Sequence, residues 1–139
     1  MTRVDFHFNA PDKLHYCSRL LRKVLRTGQR AVVHGEPAAI ADLDKLLWTF
    51  SALDFIPHVA ASDPLAPRTP VLLCSEACDT QDIGLLVNLA PSTPAFFSRF
   101  ERLIEVVGTD DEDRARARER WRFYKDRGYA VASFDLAAS

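Results

Sequence analysis

Between Arg114 and Arg127 seven basic residues stand against two acids, Glu119 and Asp126, and Trp121, Phe123 and Tyr124 are set among them. Six of the seven are arginines. A guanidinium grips a carboxylate through a planar fork and stacks on aromatic rings, which an ammonium does less well. At about 100° per residue, Arg114, Arg118, Trp121, Arg122 and Lys125 share one helical face, flanked by Ala117 and Tyr124, while Arg116, Arg120 and Arg127 lie elsewhere. Such a face suits an acidic, partly apolar ligand. No nucleophile or metal cluster accompanies it in sequence, so the chemistry is docking rather than turnover. The plain alternative is a solvated helix whose arginines pair with Glu119, Asp126 and the acids of its first turn.

Other candidate chemistries are weaker. The turn after the first strand, Asn9-Ala10-Pro11-Asp12, has no glycine, and the second, His34-Gly35-Glu36-Pro37, has one glycine beside an acid. Neither matches a dinucleotide or phosphate-binding loop, so no nucleotide cofactor is expected. Cys74 and Cys78 offer two thiols at a spacing unlike closed zinc sites, which need four ligands, so no metal is expected. His7, His15, His34 and His58 are scattered, and no Gly-x-Ser-x-Gly elbow is present, so no catalytic residue is assigned. Trp48, at a helix end, and Phe55, opening the next extended piece, form a second aromatic pair of the kind enriched at protein interfaces.

The whole chain bounds these readings. Its 139 residues fit one domain, 1–139, with enough length to bury a core unaided. A net charge of −1 supplies no global attraction to nucleic acid or anionic membrane. Three cysteines fit reduced thiols better than a disulfide framework. The opening Met1-Thr2-Arg3-Val4-Asp5 has no secretory pattern and no stretch is apolar enough to span a bilayer, so a cytoplasmic location is expected.

The elements that must position the basic face follow from periodicity. Val4–Phe8 alternates as a strand. Pro11 fits the first turn of a helix running from about Asp12 to Thr27, with Leu14, Cys17, Leu20, Leu21, Val24 and Leu25 on its apolar face and Gly28 as its C-terminal cap. Arg30–His34 is a buried strand. Pro37–Trp48 is a second helix, buried through Ile40, Leu43, Leu46 and Leu47. Strand, helix, strand, helix implies parallel pairing with right-handed crossovers. Leu53–His58 begins an extended piece, and Ser62–Thr69 is an exposed loop. Pro70–Cys74, Ile83–Leu89 and Arg102–Val107 are strands, with a short helical turn through Phe96, Phe97 and Phe100. Thr109 or Asp110 caps the final helix, whose acids Asp111, Glu112 and Asp113 favour its positive end. The fold class is α/β in three layers.

With these elements in place, the chain resembles the chi subunit of bacterial DNA polymerase III holoenzyme, nearly end to end. The resemblance is carried by Val4–Phe8, by Leu25 to Val33, by Leu43-Asp44-Lys45-Leu46-Leu47-Trp48 followed by Phe55-Ile56-Pro57-His58, and by Arg118-Glu119-Arg120-Trp121-Arg122-Phe123-Tyr124 with Gly128 and Tyr129. It implies a Rossmann-like fold with a mostly parallel sheet and no nucleotide-binding glycine loop. It implies a noncatalytic accessory of the clamp loader, within a complex that has DNA polymerase activity, and no cofactor. One implied surface, matched by Trp48 and Phe55, holds the psi subunit, or a psi-like or helicase partner. The other, matched by Val107, Arg114, Arg118, Trp121 and Arg122, holds the acidic, phenylalanine-ending tail of single-stranded DNA-binding protein. Trp121 stands where tyrosine is common, and Arg114 and Arg122 where lysine is, so aromatic bulk and charge are kept. No direct specific contact with nucleic acid and no membrane contact are expected. Two rival readings are a small α/β nucleotide-binding enzyme and a module that binds single-stranded nucleic acid through the basic helix.

Overall fold

The computed structural model describes residues 2–49, 56–77 and 82–137. Seven strands are described: β1 (Arg3–Ala10), β2 (Ala31–His34), β3 (His58–Ala60), β4 (Val71–Cys74), β5 (Leu85–Asn88), β6 (Arg102–Gly108) and β7 (Ala130–Asp135). They form one sheet in the order β3-β4-β2-β5-β6-β1-β7, and every pairing is parallel. Three α-helices accompany them: α1 (Lys13–Arg26), α2 (Pro37–Thr49) and α3 (Asp111–Asp126). The α/β reading therefore holds.

Alternation along the strands divides the core into two layers. Ile104 and Val106 of β6 join Val33, Leu73 and Val87 against Cys17, Leu21 and Val24 of α1 and Leu43 and Leu47 of α2. Leu103 and Val107 point the other way, joining Val4, Phe6, Val32 and Leu86 against Ala117 and Tyr124 of α3 and the ring cluster Phe96, Phe97 and Phe100. A sheet covered on both faces reads as near-continuous apolar runs, as in Val71–Cys74 and Leu85–Asn88, both buried throughout.

Helix ends follow local chemistry. Asp12 caps α1 by accepting the His15 N–H at 3.1 Å. Pro11 precedes that cap and so lies outside the first helical turn, against the sequence expectation. Gly28 adopts φ +77°, its N–H reaches Leu25 O at 3.0 Å, and Gln29 N–H reaches Val24 O at 3.3 Å. This paired reversal is the Schellman end that glycine favours. Gly128 repeats it after α3, with φ +80° and bonds from Gly128 N–H to Lys125 O and from Tyr129 N–H to Tyr124 O.

That second reversal feeds β7, which the sequence reading missed. Five of its six residues are exposed, so its apolar alternation is faint. Three further expectations are corrected. Sequence-adjacent β1 and β2 are parallel but not neighbours, because β5 and β6 lie between them. Ser62–Thr69 is not wholly exposed, since a 3-10 turn at Ala66–Arg68 buries Ala66 and Thr69. Of the four apolar residues assigned to the buried face of α2, Leu43 and Leu47 are fully buried, Ile40 packs half-buried against the same core, and Leu46 is only half-buried.

Candidate functional site

The basic helix α3 begins where Asp110 accepts the Asp113 N–H at 2.9 Å. Asp111, Glu112 and Asp113 fill its first turn, where carboxylates offset the exposed N–H groups. Asp113 also accepts the Gly108 N–H at 2.7 Å and pairs with Lys13 Nζ at 3.2 Å. The positive end of this helix is thus occupied by its own carboxylates.

Burial sorts the helix into two faces. Ala117, Arg120 and Tyr124 are buried, whereas Arg114, Arg118 and Arg122 are exposed. Trp121 sits between, half-buried on Phe6 with ring centroids 5.3 Å apart. The arginine set aside as lying elsewhere, Arg120, is the one that enters the core, at 3 % exposure. Its Nε lies 3.1 Å from Glu105 Oε1, and its Nη1 donates to Pro91 O at 2.7 Å.

Glu105, fully buried on β6, is the acceptor at the centre of a polar network. Tyr124 Oη donates to Glu105 Oε2 at 2.6 Å and Asn88 Nδ2 to Oε1 at 2.8 Å. Asn88 Oδ1 meets His34 Nδ1 at 2.9 Å and the Ala90 N–H at 3.1 Å. Burial raises the Glu105 pKa, opposed first by the Arg120 charge and then by these hydrogen bonds. Tyr124 is raised as well, by its own burial and then by the Glu105 carboxylate. The network fixes the rotation of α3 about its axis, and so which of its residues face outward.

What faces outward at the β1 end is an apolar recess of about 270 Å³. Phe6, Phe8, Val107, Ala117 and Trp121 form its walls, Ser133 of β7 contributes to the lining, and Arg114 and Arg118 flank it. Larger ligands occupy cavities of roughly 300–1,000 Å³, so this one suits a single apolar side chain. Among the described residues Arg114, Arg118 and Arg122 form no ion pair, while Arg116 meets Glu112 at 3.8 Å. Four of the five residues assigned to this surface, Val107, Arg114, Arg118 and Trp121, therefore converge on one recess. Arg122 shares the helix but does not line it. Phe6, Phe8 and Ser133 were not singled out in the sequence, because walls drawn from β1 and β7 are set by strand order.

The second surface lies at the far edge of the sheet. Trp48, at the end of α2, is 60 % exposed. Its ring meets His58 edge to face at 5.2 Å. His58, wholly buried in its side chain, has Nε2 3.0 Å from Asp44 Oδ1 and Nδ1 2.6 Å from Ile56 O. The sequence blocks Leu43 to Trp48 and Ile56-Pro57-His58 thus meet through an Asp44–His58–Trp48 contact. Phe55 and Cys78 lie outside the described residues.

A wider cleft of about 630 Å³ opens at the carboxyl ends of β1 and β6, where doubly wound folds commonly bind nucleotides. Asp12, Glu36, Asp110, Glu112 and Asp113 line it against Lys13 and Arg116. Lys13 is committed to Asp113 and to Leu89 O at 2.9 Å. Five carboxylates make this cleft hostile to phosphate. No cluster of three or more metal-ligating side chains occurs among the described residues, and no described helix is long and apolar enough to cross a membrane. Burial pushes the Cys17 thiol up to about 12, which leaves it unreactive.

Residues 1–132 match the family model described as DNA polymerase III chi subunit, HolC. A DNA polymerase III subunit chi of Pseudomonas aeruginosa is 34 % identical over 98 % of this chain and 98 % of its own length. Those of Escherichia coli and Haemophilus influenzae are 30 % and 27 % identical, over 80 % and 82 % of this chain and 74 % and 81 % of their own lengths. The chain therefore belongs to the DNA polymerase III chi subunit family, with an accessory role in DNA replication.

Proposed function

We propose that the chain is a noncatalytic adaptor that links the clamp loader, through psi, to the acidic C-terminal tail of single-stranded DNA-binding protein. The observation that carries this reading is the apolar recess flanked by Arg114 and Arg118. A terminal phenylalanine has two groups to satisfy, a ring and a carboxylate, and the recess offers walls for one and guanidinium donors for the other. Charge-assisted hydrogen bonds contribute about 1.5–3 kcal/mol each. Arg122, one turn beyond Arg118, would meet acids upstream in the same tail. Membership of the chi family supports a place in the replicative assembly.

The exposed Trp48, held against His58, would serve the psi or psi-like partner, or a helicase, together with Phe55. Rigid exposed aromatics are common anchors of protein interfaces. The two surfaces lie on elements near opposite edges of the sheet, α2 beside β3 and β4 and α3 beside β6 and β7, so both partners could be held at once.

The test is co-elution of the chain with full-length single-stranded DNA-binding protein and with a version lacking its acidic tail. Co-elution with the first alone is expected. Equal association with both would overturn the tail assignment.

A further inference from the structure

The face of β7 turned away from α3 is left open, and its chemistry is distinct from that of the recess. β7 is an edge strand, and its residues alternate between the two faces. Ser133 lines the recess, so Ala130, Ala132 and Phe134 turn to the opposite side. Phe134 is 49 % exposed and meets His7 edge to face at 5.3 Å. His7 in turn contacts Tyr16 of α1, Nδ1 to Oη at 2.5 Å. The result is a shelf with two exposed alanines as its floor, a run of three rings at one end and α1 as its wall.

The charges acting on His7 and Tyr16 are mostly positive, while the exposed carboxylate of Asp135, next to Phe134 in the chain, accepts from Asn9 Nδ2 at 2.8 Å. Lys23 and Arg102 act on His7, and Arg19 and Arg102 act on Tyr16. The carboxylate acting on His7 is Asp5, which is 2 % exposed and already held by Arg102 at 2.9 Å and Arg3 at 3.5 Å. Arg19 and Lys23 are exposed and four residues apart, hence neighbours on one side of α1. A chain with a net charge of −1 thus gathers a local cationic strip beside one exposed ring, Phe134, and two half-buried ones, His7 and Tyr16.

We infer that this shelf binds single-stranded nucleic acid without regard to sequence. Cations beside the exposed Phe134 ring complement a chain of phosphates carrying flat bases, the combination that single-strand binding surfaces use. An acidic peptide would satisfy the cations but supplies no regular series of flat groups for the rings. The shelf and the recess lie on opposite faces of β7, so a strand could be held while the recess is filled.

The probe is a fluorescently labelled 20-mer of deoxythymidylate, titrated with the full chain at low salt and followed by anisotropy. Saturable binding is expected, with a log-affinity against log-salt slope of about −2 for three phosphate contacts. Phe134→Ala should weaken it roughly tenfold, as loss of one stacking ring does. Arg19→Ala with Lys23→Ala should weaken it and flatten the salt slope. Neither change should alter binding of an acidic, phenylalanine-ending peptide at the recess. Absence of binding to the 20-mer at low salt would overturn the inference. So would binding indifferent to Phe134→Ala and displaced equally well by polyglutamate, which would identify the shelf as a site for acidic polypeptide.

Discussion

Glu105 on β6 and Arg120 on α3 lie 3.1 Å apart with both side chains withdrawn from water, and this pair ties the helix carrying the recess to the sheet beneath it. Removing one member leaves the other buried and uncompensated, which costs about 3–5 kcal/mol. Arg120→Met is therefore expected to lower unfolding stability by that amount in urea titration. Arg118→Ala, on the exposed face, should change it by less than about 0.5 kcal/mol. Glu105→Leu combined with Arg120→Met should recover only part of the loss, because the Tyr124 hydroxyl and the Asn88 amide then lose their shared acceptor.

The two tryptophans report on separate surfaces. Trp48 is 60 % exposed, whereas Trp121 is half-buried on Phe6. In Trp121→Phe the remaining emission should be red-shifted and readily quenched by acrylamide. In Trp48→Phe it should be blue-shifted, less quenched, and responsive to an acidic phenylalanine-ending peptide. Asp44→Ala, which removes the carboxylate facing His58, should alter the Trp48 signal and leave the Trp121 signal unchanged.

Burial lowers the His7 pKa from its ordinary 6.5, with the Asp5 charge opposing the shift. A histidine whose folded pKa lies below its unfolded value contributes stability that is fully present above the unfolded value. That contribution is lost as pH falls toward the folded one. Stability should therefore decline below pH 6.5 more steeply in the native chain than in His7→Phe, which keeps a ring but cannot titrate. Parallel curves for the two proteins would show that His7 is not part of the acid response.

Cys17 is completely buried on α1 and its thiol is raised to about 12. Under native conditions at pH 8 it should resist iodoacetamide over hours and react promptly once the chain is unfolded in guanidinium. Labelling followed by peptide mass spectrometry reads this directly.

The sequence was most informative where local chemistry acts alone. A helix start near Asp12, another at Thr109 or Asp110, a helix end at Gly28 and strands at Pro70–Cys74 and Ile83–Leu89 were all legible, and the structure places the caps at Asp12 and Asp110 and the strands at Val71–Cys74 and Leu85–Asn88. Spacing on α3 placed Arg114, Arg118 and Trp121 together, and the structure brings them to one recess with Val107. Strand order could not be read, because it rests on pairings such as Val4 with Leu103 between residues far apart in the chain. For the same reason the contributions of Phe6, Phe8 and Ser133 to the recess were hidden. Arg120 was rightly set apart from the exposed face, but its burial was hidden because a buried guanidinium looks the same in sequence as an exposed one, and its partner Glu105 lies on another element. β7 was missed because an edge strand with a half-solvated face carries little apolar signal.

The recess beside Arg118 is proposed to receive a terminal phenylalanine from an acidic tail. The most direct measurement is anisotropy of a fluorescent acidic peptide ending in phenylalanine, titrated with the chain, beside the same peptide lacking that residue. Saturable binding should appear with the first and vanish with the second. It should weaken with salt and fall about tenfold or more in Arg118→Ala, the loss expected for one charge-assisted contact. Equal binding of both peptides, or an affinity unchanged by Arg118→Ala and Trp121→Ala together, would contradict it.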